Sequence, residues 1–208
     1  MKKSLFVSVL AIIFFCACEE DSDLTISGSQ SDLGKTGVVI SSSSISIAGI
    51  SEFSAQVVSL KDGVSTINGQ VVIENNAIKQ ILSNVPGIVI NGNTVSASGV
   101  EVKFTDKGIE NKYPFFQGVL VKFDSKVGDT YPIKDSQTVR KVIYKSTTDD
   151  YDYAFFRIKV IVVEHEINFN GLSKITYWVN HKYGVVKIVF DLDDGEKISL
   201  PFYFGSLS

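Results

Sequence analysis

The sequence predicts an all-β fold, mainly antiparallel and curved, with at most one or two short helices. Three observations carry this. Short β-branched runs punctuated by Gly and Asn fill residues 37–104, among them GVVIS, SISIAGI, GQVVIEN and GIVING. Further on, apolar residues alternate with period two, which is the mark of strands with one buried side. Turn signals stand between the alternating runs; Asp194-Gly195 is the strongest of them.

The elements follow in order. Only one segment before residue 112 has helical spacing: Ala77, Ile78, Ile81, Leu82 and Val85, ended by Pro86. From residue 24 to 103 Phe53 is the only aromatic, whereas nineteen follow from Phe104 onward. The chain therefore divides into a Val/Ser/Gly-rich β region (37–112) and an aromatic-rich antiparallel region (113–208), expected to form one continuous domain. In the second region strands are expected near 117–124, 128–134, 137–147, 152–165, 173–180, 184–192 and 196–204. Val186, Ile188, Phe190 and Leu192 share one strand face. Ile198, Leu200, Phe202 and Phe204 share another, and a turn at Asp193 to Gly195 sets the two against each other. Asn180 to Gly184 supplies a second hairpin turn. The meander is the simplest arrangement of such strands.

The N-terminus gives an address. Lys2 and Lys3 precede the apolar run Leu5 to Phe15, as in a secretory signal. Crossing ~30 Å of hydrocarbon takes ~20 apolar residues, so this run is too short to span. Both cysteines, Cys16 and Cys18, lie just after it, separated by Ala17. A disulfide across one residue would be strained, since the Cα atoms of a bridge sit at least ~4.4 Å apart. Phe15-Cys16-Ala17-Cys18 resembles a bacterial lipobox, which implies a signal peptide over 1–17 and lipidation of Cys18. Several acyl chains hold a protein stably on a membrane, each buried CH₂ contributing ~0.8 kcal/mol. Residues 18–36 then read as the lipidated cysteine and a flexible tether. The acids Glu19, Glu20, Asp21 and Asp23 resemble the export signal of surface lipoproteins of Bacteroidota-type bacteria. That resemblance implies the outer membrane, on its periplasmic or cell-surface face.

A second resemblance covers roughly the last 85 residues. Val127-Gly128-Asp129-Thr130-Tyr131, the long strands after it, Ile175-Thr176-Tyr177-Trp178-Val179-Asn180 and Lys182 to Lys187 resemble a β-domain of envelope lipoproteins of unknown function. Some of these resemble the half-barrel of lipoprotein carriers. The resemblance implies a curved half-barrel sheet and carries little chemistry.

Charge and motifs narrow the function. Loss of residues 1–17 removes two lysines and leaves 18 basic against 23 acidic residues. No basic run occurs, so a nucleic-acid partner is not expected. Phosphate-binding glycine motifs and G-x-S-x-G are absent from the sequence. Asp191, Asp193, Asp194 and Glu196 follow the alternation of a calcium loop in part, but the third acid comes one residue early and no Glu stands at the twelfth position. A hairpin turn explains them better, and no metal or other cofactor is expected. Glu164-His165-Glu166 reads as a strand end with solvated charges, and Asp149 to Asp152 as a polar loop. Aromatics remain. Tyr151 and Tyr153 share a strand face with Phe155, while Tyr177 and Trp178 point to opposite sides of their strand. These four, Tyr151, Tyr153, Tyr177 and Trp178, are candidates for a ligand platform; a role in the core competes with that.

The expectation is therefore a non-catalytic, lipid-anchored envelope protein with a binding or assembly role at the outer membrane. Its partners would be the membrane, through the anchor, and a glycan, an apolar ligand or another envelope protein. A carrier or sensor holding an apolar ligand in a curved sheet is the alternative, and a metal-assisted hydrolase the third reading.

Overall fold

A computed structural model describes residues 24–42, 46–169 and 171–206. The signal segment, Cys18 and the acids after it lie outside the described residues. The fold is all-β, a curled antiparallel half-barrel with one α-helix among the described residues. Its strands are β1 (Val38–Ser41), β2 (Ile50–Lys61), β3 (Val64–Ile73), β4 (Ile88–Asn91), β5 (Thr94–Phe104), β6 (Gly108–Asn111), β7 (Gly118–Lys122) and β8 (Thr130–Pro132). There follow β9 (Val139–Lys145), β10 (Tyr151–Tyr153), β11 (Phe156–Ile158), β12 (Ile161–Phe169), β13 (Leu172–Asn180), β14 (Gly184–Leu192), β15 (Lys197–Pro201) and β16 (Tyr203–Ser206).

Two large sheets result. One runs β16-β1-β2-β3-β5-β6-β7, with β4 also paired to β5; the other runs β15-β14-β13-β12-β9-β8. Only Phe202 separates β15 from β16, so the chain passes directly from one sheet to the other. The faces turned toward each other carry the core. Across the six-stranded sheet the register lines up two rows, Tyr131–Arg140–His165–Ile175–Phe190–Ile198 and Val142–Val163–Tyr177–Ile188–Leu200. Each row is one side chain per strand, two residues from the next row, as the pleat requires.

The C-terminal hairpin has the expected pairing at Ile188–Leu200 and Phe190–Ile198, but the single strand expected over 196–204 is two strands: β15 ends at Pro201, and Phe204, on β16, pairs with Ile40 of the other sheet. Val186 also departs from the expected face. A register shift on β13–β14 puts Val185 on the inner face, and Val186 is fully buried in a second cluster on the other side. Gly184, at φ 65°, closes the preceding hairpin. A Cβ there would lie 2.9 Å from the Phe204 ring, so both the backbone angle and the space require glycine.

The helix α1 (Asn76–Leu82) is shorter than the 77–85 pattern, with Asn75 as its N-cap accepting from the Ala77 and Ile78 N–H groups. The single strand expected over 152–165 is three strands. Ala154 (φ 52°) and Phe155, fully exposed, turn β10 back onto β11 before β12 starts. Phe155 thus does not share a face with Tyr151 and Tyr153. Phe155 lies in the first of these breaks, and Ile161 opens β12 after the second.

The tether is also corrected over its described part. Residues 24–36 lie on the domain: Ile26 and Leu33 are buried, and Asp32–Gly34 forms a 3-10 turn. The buried Glu110 carboxylate accepts the Ile26 N–H at 3.0 Å and pairs with Lys112 at 2.9 Å, while Lys103 Nζ donates to the Ile26 carbonyl. Polar composition suggested a free segment, but two apolar side chains and a buried acceptor hold it down.

Candidate functional site: a cavity between the sheets

The inner faces do not meet throughout. Between them lies a cavity of about 540 Å³. Its lining is aliphatic and aromatic almost throughout because both sheets present their inward, period-two side chains to it. Ile40, Phe53, Ile67, Val95 and Phe104 come from the larger sheet; Ile188, Phe190, Ile198 and Leu200 come from the smaller; Ile78, Ile81 and Leu82 come from α1. Ile188 and Phe190 are only partly buried although they face inward. Exposed Gln70 marks one part of the lining, and buried Arg140 another.

Five polar side chains interrupt this wall: Gln70, Ser96, Asn111, Arg140 and Tyr177. Asn111 is occupied. Its amide donates to the Phe115 and Phe116 carbonyls, and its oxygen accepts the Tyr113 N–H. Arg140, on β9, is 1% exposed. Its Nη1 donates to the Val119 carbonyl at 2.9 Å and its Nη2 to the Phe116 carbonyl. Its Nε is buried without an acceptor among the described residues. No carboxylate pairs with it among those residues. Burial lowers its pKa, and the Tyr177 hydroxyl beside it opposes that shift. Burial in turn raises the pKa of Tyr177, with Arg140 opposing.

His165, next to Arg140 in the same row, is fully buried. Its Nε2 lies 3.1 Å from Thr138 Oγ1, and the Phe116 ring meets it edge-on at 4.7 Å. Burial, reinforced by the Arg140 charge, depresses its pKa to about 3, so it is neutral at pH 7. The reading of 164–166 as solvated charges is corrected here. Only Glu166 is exposed; Glu164 pairs with Lys174 at 3.0 Å, and His165 belongs to the inner face.

The four aromatic candidates fall in two places. Tyr177 lines the cavity. Tyr151, Tyr153 and Trp178 gather on the outer side, where Tyr153 packs against Tyr183 and Tyr203 with centroids 4.9 and 5.4 Å apart. Lys187 Nζ sits 3.8 Å above the Trp178 ring and 5.4 Å from that of Tyr151. A cation over its ring fills the place a stacking ligand would take on Trp178. Tyr153 is buried, and burial pushes the Tyr151 hydroxyl up to about 12. Both belong to a small satellite core.

Asp193, Asp194 and Glu196 lie in the turn after β14, and Asp191 is near the end of that strand. Asp191 pairs with Lys197 at 3.1 Å and Lys174 at 3.3 Å, and Asp194 Oδ1 accepts the Glu196 N–H at 2.9 Å. Among the described residues no three His, Cys, Asp or Glu side chains converge as a metal site would need. Arg140 escaped the sequence reading. It is one of only two arginines in the chain, and period two sets it on the same face as Val142; that was the available signal.

No protein-family model matches this chain, and no curated protein or solved structure is significantly similar to it.

Proposed function

We propose that this protein is a non-catalytic carrier or sensor that holds an apolar ligand between its two sheets, anchored to an outer membrane through Cys18. The cavity carries the reading. Ligand pockets run ~300–1,000 Å³, are lined mostly by apolar side chains and hold a few placed polar groups, and 540 Å³ with Arg140, Tyr177 and Asn111 fits that description. The energetics agree in sign: apolar side chains that face solvent are unfavourable, and an apolar occupant covers them.

The neutral fluorophore N-phenyl-1-naphthylamine tests this directly. It should bind at one site with strong fluorescence enhancement. Ile188→Trp should reduce that binding at least about tenfold while the circular dichroism spectrum stays that of the parent, since Ile188 faces the cavity and is only partly buried. Equal binding by parent and variant, or none by the parent, refutes the carrier reading.

The anchor is tested separately. Cys18→Ser should abolish labelling with a fatty-acid precursor and move the protein from the membrane to the soluble fraction. A variant that stays with the membrane like its parent has another means of attachment.

A further inference from the structure

We propose that the ligand is a long-chain carboxylate whose head pairs with Arg140. This rests on the carrier reading and adds the chemical class. Burying a cation is costly unless an anion and hydrogen bonds compensate it. Arg140 is 1% exposed and lines a mostly apolar cavity. A guanidinium has five N–H donors. Two carbonyls, of Phe116 and Val119, each take one donor, and Nε–H has no acceptor among the described residues. Two acids on strands around it pair elsewhere: Glu164, on β12, with Lys174, and Glu110, on β6, with Lys112. His165 and Tyr131, its neighbours across the sheet, bring no negative charge.

The two backbone contacts also fix the guanidinium in place. That leaves a preorganised cation at the wall of a chain-sized apolar space. The Tyr177 hydroxyl stands beside it on the adjoining strand row. Nε–H and that hydroxyl supply two donors, which matches the two oxygens of one carboxylate. A phosphate brings a third oxygen and up to a second charge, whereas Arg140 is the one cationic side chain lining the cavity among the described residues. A neutral head of the same chain length would leave Arg140 uncompensated.

The competing account makes Arg140 a clasp for the segment 116–119 and nothing more. Displacement of N-phenyl-1-naphthylamine by hexadecanoate, hexadecanol and hexadecyl phosphate separates the two on the unmodified protein at pH 8. Hexadecanoate should compete at least about tenfold more strongly than hexadecanol, the low end for a charge-assisted hydrogen bond, and more strongly than hexadecyl phosphate. Arg140→Met should erase the acid-over-alcohol preference while fluorophore binding persists. Arg140→Lys, which keeps the charge but loses the planar fork, should retain a reduced preference. If acid and alcohol compete equally while the fluorophore binds, the carboxylate assignment is overturned and the carrier reading stands. Stronger competition by the phosphate also overturns it, in favour of a phosphorylated lipid head. Should Arg140→Met fail to fold, the preference on the unmodified protein decides alone. If the fluorophore never binds, it is the carrier reading that fails.

Discussion

Gly108→Val is expected to unfold the domain or to destabilise it by at least ~3 kcal/mol, the upper part of the range for overpacking. A Cβ at Gly108 would lie 2.2 Å from the Val121 carbonyl oxygen and 3.1 Å from the Lys122 Cα. Both are backbone atoms of the paired strand β7, so no side chain can swing aside to relieve the clash. The strands must separate, because Gly108 is held on its other side by the Thr105 side chain, which accepts its N–H at 3.1 Å. The cavity feels this at once, because Ile109 and Leu120 line it from these two strands. Urea melts followed by far-ultraviolet circular dichroism measure the effect. A variant within ~1 kcal/mol of the parent would mean that β6 and β7 are not packed this closely.

Phe202→Ala should cost ~3 kcal/mol, at the low end of the ~3–5 kcal/mol usual for truncating a buried Phe. Phe202 is 7% exposed and meets the Phe53 ring edge-on at 5.0 Å. It sits where the chain crosses between the sheets, and its N–H donates to the Val186 carbonyl at 3.0 Å. These contacts make it a core residue. It also lines the cavity, so one side of the ring already lacks packed neighbours. Truncation should therefore cost less than in a solid core and should enlarge the space. N-phenyl-1-naphthylamine is expected to bind the variant still, with altered affinity. A loss of ~1 kcal/mol or less would show that the ring is held by the ligand space alone. A loss above ~5 kcal/mol with no fluorophore binding would show that the inner faces pack solidly.

The sequence by itself determined most of the strands of the C-terminal half, because period two survives wherever one face is buried. Ile188 opposite Leu200 and Phe190 opposite Ile198 follow from that rule, since a slip of one residue would turn all four outward. Glycine and Asp-Gly punctuation placed the hairpin turns for the same local reason. Where apolar residues occupy both faces the rule has no grip, as at Phe155, Val186 and Ile161, and there the structure differs from the pattern. Only the tertiary structure decided which inward side chains touch and which leave space. Whether Ile188 meets Phe53 or faces a cavity depends on the distance and curl of two sheets formed from residues more than a hundred positions apart. Arg140 shows this most clearly. A lone arginine in a strand usually reaches water, but here the carbonyls of Phe116 and Val119 hold it, buried, at the wall of a mostly apolar space.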